Sequence, residues 1–558
     1  MSGLPFRGAA FAAALLLTAG AAGAQELRLS VTETTIDTGG FRKTALGYDG
    51  RSPGPILRFK EGEQAVIHVT NTLDETTSIH WHGFILPYDQ DGVPGHGFDG
   101  IAPGETFTYR FPVEQAGTYW YHSHSGAQEA DGAYGAIIIE PKDPEPFEYD
   151  REHVVLLNDA HPHAASRIMR NLKMSPDYYN RQQRTLGDLI SDARENGLGA
   201  ALADRADWGE MRMMPTDIED VQGYAPLING MSPAQNWTGL FEPGERVRLR
   251  VVNGSAMSFF DVRVPGLTMT VVQADGNDVK PVEVDEFRIG VGETYDVIVT
   301  PTEDRVYSVI AESMARTTMA RASLAPREGM TPEPLPPLRE PPRLTMADMG
   351  MAHGDHSGHD SMGGMAASDG PPPPFDPFYA FGSGLTPTAW NGGRFLSYAD
   401  LEAREPLYDF RAADREIVVR LTGNMERYLW SLDDVKFEDS EPMRLRLGER
   451  VRITFVNETM MTHPMHIHGL WSLLDNGSGS GMPAKHVVAV APGATASIEV
   501  EVDEPGMWLL HCHLAYHMKA GMMRRIVVED GPVDAAEGAA TSGMQGGHAG
   551  HGGMRHGG

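Results

Sequence analysis

Hydrophobic and polar residues alternate along three short segments of this chain, and the three segments share one pattern. They are GEQAVIHVTN (62–71), GERVRLRVVN (244–253) and GERVRITFVN (448–457). Each begins with a Gly-Glu turn, continues with the two-residue period of a half-buried strand and ends at an asparagine. A threefold repeat of this kind predicts three β domains of common ancestry.

A second strand pattern follows each of these segments and supports the same division of the chain. Its three copies begin at Gly104, Gly292 and Gly493. Each copy places an aromatic residue fifteen positions after its glycine, at Tyr119, Tyr307 and Trp508. Short strands separated by Gly and Pro turns are typical of Greek-key β-sandwiches. We therefore expect an all-β protein whose domains lie near 26–145, 150–328 and 376–532.

Other stretches lie outside the repeats. Residues 164–215 lack runs of β-branched residues and predict a helical insertion in the middle domain. Residues 329–375 have the Pro, Gly, Met and His content of a linker, and residues 533–558 that of a disordered Gly/His/Met-rich tail. Residues 1–24 combine Arg7, an apolar run and an Ala-Gly-Ala cleavage pattern, which predicts a signal peptide.

Net charge and hydropathy limit the partners and the cellular location that we expect for this protein. The formal net charge is −30, so we expect no nucleic-acid partner, because phosphate binding needs a basic surface. No apolar run is long enough to span a bilayer, so we expect a periplasmic protein without a membrane span. The signal peptide has no twin-arginine pair, which favours the general secretory route.

Histidine pairs follow the repeats in the first and third domains. The motifs are HWHG (80–83), HSH (122–124), HPMHIHG (463–469) and HCHLAYHMKAGM (511–522). Residues i and i+2 of a strand face the same side, so each H-x-H presents two imidazoles to one point, and imidazole binds copper, zinc and iron. The middle domain has Ile310-Ala311-Glu312 at the corresponding position. We therefore predict a metal site shared by the first and third domains, with the middle domain as a spacer.

The single cysteine of the chain, Cys512, lies between two of these histidines. A thiolate with two imidazoles and a weak axial methionine forms a blue-copper electron-transfer site. We expect Cys512 to form such a site with His463, His517 and Met522. Since its two neighbours face the other side of the strand, Cys512 would link this copper covalently to the histidines of the shared site.

The four motifs resemble the copper signatures of the multicopper oxidases, the family of laccases and ascorbate oxidase. The resemblance covers nearly the whole mature chain and implies three cupredoxin-like domains, four copper ions and the reduction of dioxygen to water by four single electrons. By motif position it assigns the type 1 copper to His463, Cys512, His517 and Met522, the type 2 copper to His80 and His466, and the type 3 pair to His82, His122, His124, His468, His511 and His513.

One acidic residue accompanies the copper motifs. Asp91 lies nine residues after His82 in an Asp-Gly turn, and the resemblance implies that an acid at this position helps to deliver protons to oxygen. A turn aspartate without such a role is the alternative. Some relatives have a second acid just before the last type 1 histidine, where this chain has Tyr516, so the sequence does not identify a second proton donor.

Methionine content indicates the electron donor. The chain has 29 methionines, and soft thioethers prefer Cu(I). Segments such as GNMERYLWSLD (423–433) resemble the copper-resistance protein A group, which implies a periplasmic oxidase that converts Cu(I) to Cu(II) alongside other copper-handling proteins. Candidate ligands for additional labile copper are Met346, Met349, Met351, His353, His356, His359, Met362 and Met365. Candidate thioethers near the type 1 site are Met425, Met460, Met461 and Met518, although core packing is the alternative for each.

Two alternatives remain open at the level of sequence. The first is a laccase-like oxidase of phenolic substrates, in which the Met/His segments are incidental. The second is a periplasmic copper-sequestering protein, although storage alone does not need an oxygen-reducing cluster. A two-domain nitrite reductase is a weaker rival, because it needs one catalytic copper and this chain has eight cluster histidines.

Overall fold

The computed structural model describes residues 24–211, 213–350, 376–424 and 427–529. Three predictions lie wholly or largely outside these residues: the signal peptide apart from Ala24, the tail 533–558, and the part of the linker that contains Met351, His353, His356, His359, Met362 and Met365. Met425 also lies outside them. No helix among the described residues is long and apolar enough to cross a membrane.

The first domain is a sandwich of two four-stranded sheets. Its strands are β1 Ala24–Asp37, β2 Arg42–Tyr48, β3 Leu57–Lys60, β4 Gln64–Asn71, β5 His80–His82, β6 Thr106–Pro112, β7 Gly117–His122 and β8 Tyr134–Glu140. The strand orders are β2-β1-β4-β6 and β3-β8-β7-β5. The core between the sheets contains Trp81, Tyr109 and Tyr119, which are buried.

The second domain is a sandwich of two six-stranded sheets. Its strands are β9 Arg151–Ala160, β10 Ala225–Ile228, β11 Thr238–Leu240, β12 Val247–Asn253, β13 Phe260–Arg263, β14 Met269–Ala274, β15 Asn277–Val284, β16 Glu286–Ile289, β17 Thr294–Val299, β18 Tyr307–Ser313, β19 Met319–Ala325 and β20 Phe395–Leu396. The orders are β10-β9-β12-β17-β14-β15 and β11-β19-β18-β13-β16-β20. The strand β20 falls within the predicted range of the third domain, but it pairs with β16 of the second.

Three helices follow β9, within the predicted helical insertion. They are α1 Ala165–Met174, α2 Leu186–Asn196 and α3 Leu198–Glu210. Helix α1 buries Ala165, Ile168 and Leu172, whose spacing of three and four residues places them on one face. Helix α2 begins with a capping box between Thr185 and Asp188.

The third domain is a sandwich of a six-stranded and a five-stranded sheet. Its elements are β21 Arg415–Asn424, β22 Leu429–Leu432, β23 Met443–Arg446, β24 Arg450–Asn457, β25 His463–Ile467, β26 Ser472–Leu474, β27 Ala484–Lys485, β28 Val487–Val490, β29 Thr495–Glu501, β30 Gly506–Cys512, helix α4 Ala515–Ala520 and β31 Met523–Glu529. The orders are β22-β21-β24-β29-β26-β27 and β23-β31-β30-β25-β28. Short 3₁₀ helices span Tyr88–Gln90, Pro176–Tyr178, Met346–Met349, Tyr398–Asp400, Phe437–Asp439 and Gly479–Gly481.

The repeated sequence pattern occupies the same place in each sandwich. The repeat strands β4, β12 and β24 each pair in parallel with the first strand of their domain. The asparagine that ends each repeat strand is buried and makes equivalent hydrogen bonds. The side-chain amides of Asn71, Asn253 and Asn457 each donate to two backbone carbonyls, at 2.7–3.1 Å. Each asparagine therefore fixes the turn that leads to the following strand, which carries histidines in the first and third domains.

The middle domain uses the corresponding strands for ion pairs. Strands β13 and β18 place Asp261 opposite Glu312. Asp261 Oδ1 lies 2.8 Å from Arg288 Nε, and Glu312 Oε2 lies 2.8 Å from Arg263 Nη1. Both carboxylates are fully buried, so the arginines satisfy charges that would otherwise be costly there.

Buried polar contacts join the middle domain to both of its neighbours. Thr118 of the first domain donates to Asp296 Oδ2 (3.0 Å). Lys485 of the third domain is fully buried, with Nζ 3.1 Å from Asp275 Oδ2 and 3.0 Å from Glu293 Oε1. These contacts hold the first and third domains in fixed positions, although the middle domain itself lacks the histidine pairs.

Candidate metal centres

Two pairs of histidine strands meet between the first and third domains. Strands β5 and β7 pair His80 with His122, and strands β25 and β30 pair His466 with His511 in the same manner. The two hairpins bring eight imidazoles into one space, and seven of these residues are buried, while the eighth, His124, is partly exposed. The structure thus brings together the histidine pairs for which the sequence predicts a metal site shared by the first and third domains.

The imidazoles separate into groups of metal-binding size. In each group the candidate ligand atoms lie within 4.8 Å of one another. The groups are His80, His466 and His468; His82, His122 and His513; His124, His468 and His511; and His82, His466 and His486. Every one of the eight predicted type 2 and type 3 residues belongs to at least one group.

Several ring nitrogens in this space have no hydrogen-bond partner among the described residues. They are the Nε2 atoms of His80, His82, His122, His124, His466 and His513, together with Nδ1 of His82 and His513. A buried polar atom without a partner is costly and calls for an explanation. A metal ion would satisfy the one lone-pair nitrogen of each neutral ring, so the residues present fit a copper cluster.

Burial favours the neutral, metal-binding form of these imidazoles. Loss of solvation and the neighbouring histidines lower the pKa of His82, His124, His466 and His468 well below the usual value. For His511 burial lowers the pKa to about 3. Neutral imidazoles keep a lone pair for a metal ion, whereas protonated rings at these distances would repel each other.

Asp91 contacts one histidine from each domain. Its Oδ1 lies 3.1 Å from His80 Nδ1, and its Oδ2 lies 2.9 Å from His468 Nδ1. The carboxylate is buried. Carboxylates in this position fix the tautomer of metal-binding histidines and direct the opposite nitrogen toward the ion.

A second centre surrounds Cys512 at the end of β30. The Sγ atom lies 3.5 Å from His463 Nδ1 and 3.8 Å from His517 Nδ1, and the two Nδ1 atoms are 3.1 Å apart. Met522 is fully buried, and its carbonyl accepts a hydrogen bond from Cys512 N (3.1 Å). Burial raises the pKa of the Cys512 thiol, so a bound cation is needed to stabilise the thiolate.

The outer nitrogens of the two histidines in this centre are held by oxygen atoms. His463 Nε2 lies 2.6 Å from Thr459 Oγ1, and His517 Nε2 lies 2.7 Å from Asp220 Oδ2. Tyr428 donates to the same Asp220 oxygen (2.8 Å). These bonds leave both Nδ1 atoms directed toward the sulfur, as a copper site requires.

The structure adds residues that the sequence analysis missed. Asp220 comes from the loop after the helical insertion, Glu129 lies behind His122, and His486 lies beside His82. No histidine motif includes these three residues. Asp220 and His486 reach His517 and His82 through packing of distant segments, whereas Glu129 lies seven residues after His122 in the loop between β7 and β8. Tyr516, at the position of the second acid of some relatives, is buried, and burial raises its pKa.

The candidate copper-binding methionines occupy different environments. Met460, Met461 and Met518 are buried in the third domain, which favours the packing role for them. Met346 and Met349 are partly buried and pack against the same hydrophobic cluster that contains Cys512.

Comparisons with known proteins agree with this geometry. Models of the multicopper oxidase family match residues 30–144, 154–328 and 410–532. The chain is 47% identical over 546 residues to a copper resistance protein A homolog of Pseudomonas syringae pv. tomato, which covers 90% of this chain and 92% of the relative. It is 46% identical to copper resistance protein A of Escherichia coli, with 90% and 92% covered.

Solved structures show the same fold. The multicopper oxidase Fet3p superposes with a TM-score of 0.67 at 19% identity and covers 91% of each chain. A laccase from Botrytis aclada gives a TM-score of 0.65 at 22% identity, with 90% of this chain and 87% of the laccase covered. The expected all-β fold of three cupredoxin-like domains, with helices inserted in the middle one, is confirmed. Family models, relatives and fold together show that this chain belongs to the multicopper oxidases.

Proposed function

We propose that this oxidase works in the periplasm, where it oxidises Cu(I) to Cu(II), reduces dioxygen to water and thereby contributes to copper tolerance. The observation that carries the choice of donor is the contact between Asp220 Oδ2 and His517 Nε2 (2.7 Å). Asp220 is buried, and its carboxylate places a negative charge beside the candidate blue-copper centre, which favours the approach of a cation. The two relatives named copper resistance protein A support the role in tolerance.

Four copper ions fit the two centres. We assign the type 1 ion to His463, Cys512, His517 and axial Met522, and the type 2 ion to His80 and His466. We assign one type 3 ion to His82, His122 and His513, and the other to His124, His468 and His511. Copper bound at these residues supplies the redox chemistry, in which electrons are taken up singly and dioxygen receives four of them.

Cys512 connects the two centres. Its thiol faces His463 and His517, whereas its peptide neighbours His511 and His513 belong to the cluster. The Cys512 carbonyl also accepts a hydrogen bond from His511 Nδ1 (2.9 Å). An electron that reaches the thiolate therefore has short bonded routes to two cluster ligands.

Asp91 is the proposed proton carrier at the cluster. The reduction of one dioxygen to two waters consumes four protons, and this buried carboxylate contacts His80 and His468. Its place beside the cluster histidines suits a group that passes protons toward bound oxygen.

The surroundings of Asp220 favour a cationic donor. His517 is fully buried, so a substrate must pass its electron through the groups that cover this ring. Asp217 lies close in sequence, and burial together with the charge of Asp177 raises its pKa to about 7. Carboxylates that repel one another in this way gain stability when a cation binds between them.

One observation favours the laccase-like alternative. A cavity of about 490 Å³ is lined by Tyr428 and Met518, next to the type 1 centre, and also by His124 of the cluster. Its volume lies in the range of small-molecule sites, and Lys173 and Lys519 give it basic groups. A phenol with a negative charge would fit this cavity better than Cu(I).

Replacement of Cys512 tests the oxidase assignment. We expect Cys512→Ser to abolish the blue colour and to lower turnover at least about 100-fold, since loss of a ligand exceeds the usual cost of losing a supporting group. Absorption spectra and oxygen consumption measure this. His163→Gln is the control, because His163 belongs to an H-x-H outside the centres and contacts Tyr179.

The same variant distinguishes oxidation from sequestration in cells. If oxidation provides tolerance, cells with Cys512→Ser become copper-sensitive. Growth at wild-type copper levels would instead support the sequestering alternative.

Replacement of Asp220 tests the site of Cu(I) docking. We expect Asp220→Asn to lower kcat/KM for Cu(I) about 10- to 100-fold, because a carboxylate near a cation contributes a few kcal/mol at interior dielectric constants. Tyr428→Phe is the matched control, since it removes a hydrogen bond to Asp220 but keeps the charge. Equal losses for Cu(I) and for a neutral phenol would contradict cation docking.

Removal of the thioethers and imidazoles of residues 346–365 tests copper recruitment. We expect replacement of these Met and His residues by Leu and Gln to lower kcat/KM for Cu(I) severalfold at low Cu(I) concentration, because soft ligands raise the local Cu(I) concentration. Phenol oxidation serves as the internal control and should not change. Unaltered Cu(I) kinetics would rule out a recruiting role.

A further inference from the structure

We propose that Glu129 is a positioning residue of the cluster, whose carboxylate orients His122 and His513 toward the same type 3 copper ion. The inference rests on the copper assignment proposed above. It concerns a residue outside the copper motifs and gives the first domain a second carboxylate that, like Asp91, lies between a histidine of the first domain and one of the third.

The carboxylate of Glu129 lies between the two rings. Its Oε2 is 3.2 Å from His122 Nδ1, and its Oε1 is 3.7 Å from His513 Nδ1. The side chain is buried. Glu129 Oε1 and His513 Nδ1 both lack a hydrogen-bond partner among the described residues, so each is the evident partner of the other after a shift of a few tenths of an ångström.

The contact with Glu129 affects which ring nitrogen of each histidine is free to bind a metal ion. A ring that donates from Nδ1 carries its lone pair on Nε2. The Nε2 atoms of His122 and His513 are buried without a hydrogen-bond partner among the described residues, and these two histidines form one group with His82. The Ser123 carbonyl also accepts from His122 Nδ1 (3.2 Å), and Glu129 is the carboxylate that Nδ1 of both rings face. One carboxylate can therefore help to direct two of the three ligands of one ion.

The backbone around Glu129 is held in place by its neighbour. Gln128 Oε1 accepts hydrogen bonds from Thr77 (2.7 Å) and Ser123 (2.8 Å), and Gln128 Nε2 donates to Glu75 Oε1 (2.9 Å). The loop between β7 and β8 therefore presents the carboxylate from a fixed position. Such rigidity is needed for a group that directs metal ligands.

Glu129 repeats the arrangement of Asp91 on the other side of the cluster. Asp91 contacts His80 of the first domain and His468 of the third. Glu129 contacts His122 of the first domain and His513 of the third. Each carboxylate thus joins imidazoles that arrive from separate domains and fixes their relative orientation.

The charge of Glu129 also points to the cluster. Within the described parts of the chain, no lysine or arginine nitrogen forms an ion pair with this carboxylate; its ion-pair contacts are His122 and His513. The ammonium of Lys519 acts on this carboxylate from beyond ion-pair distance, and a buried carboxylate with no cation in contact is costly. Copper ions bound by these two histidines would supply the missing positive charge.

The test compares copper-loaded wild-type protein with Glu129→Gln. The amide keeps the shape but offers one acceptor oxygen in place of two. We expect the blue type 1 absorption to persist while copper per chain falls below four, or while electron paramagnetic resonance (EPR) detects copper from an uncoupled type 3 pair. Reoxidation of the reduced enzyme by dioxygen should slow about 10- to 100-fold, the usual effect of losing a group that supports a metal ligand.

Glu75→Gln is the matched control. It makes the same chemical change in the same hydrogen-bond network, through Gln128, but Glu75 has no ion-pair contact with a histidine among the described residues. We expect wild-type copper content, EPR spectrum and reoxidation rate for this variant. Glu129→Asp should restore part of the type 3 signal, because a carboxylate one methylene shorter reaches one ring but not both.

Wild-type copper binding and reoxidation in the Glu129 variants would contradict the inference. A folded Glu129→Gln protein with four coppers, a coupled type 3 pair and wild-type reoxidation would overturn the inference, and so would equal copper loss from all centres. If Glu129→Gln does not fold, Glu129→Asp decides, and a wild-type type 3 spectrum in that variant would also overturn it. Wild-type protein without blue colour or with fewer than four coppers would instead show that the proposed copper assignment fails.

Discussion

Eight imidazoles share one largely buried space between two domains, and the rest of the structure depends on keeping them neutral. Protonated rings at these separations would repel one another without solvent to screen them. Burial lowers the pKa of most of these rings, to about 3 for His511, and so leaves their lone pairs available for metal ions. The hydrogen bonds that Asp91 and backbone carbonyls accept then decide which nitrogen faces the cluster.

The middle domain has the same fold but no cluster of imidazoles that must stay neutral. Its corresponding strands carry Asp261 and Glu312, and arginines neutralise both carboxylates. A closed ion pair needs no external ligand, whereas a cluster of unpartnered imidazole nitrogens does. The buried side chain of Lys485 in the third domain pairs with two carboxylates of the middle domain. Because the middle domain also bonds to Thr118 of the first domain, it fixes the third domain relative to the first. The middle domain therefore helps to set the distance between the histidine pairs of its two neighbours.

Sequence periodicity predicted the local features well. Alternation and the final asparagine of each repeat identified equivalent strands, and the H-x-H spacing identified imidazoles on one strand face. The division of the six type 3 histidines into two groups of three could not be predicted from the sequence, because it depends on how strands from separate domains cross. Asp220 was missed for the same reason: it lies 297 residues from His517, and no local pattern records such a contact.

The most direct test of the central claim is a copper count with EPR on purified, copper-loaded protein. A three-copper cluster between the domains and a separate Cys512 centre predict four coppers per chain, of which two are detected by EPR and two are silent as a coupled pair. One blue copper alone, or a full copper load without a silent pair, would contradict a shared cluster of eight histidines.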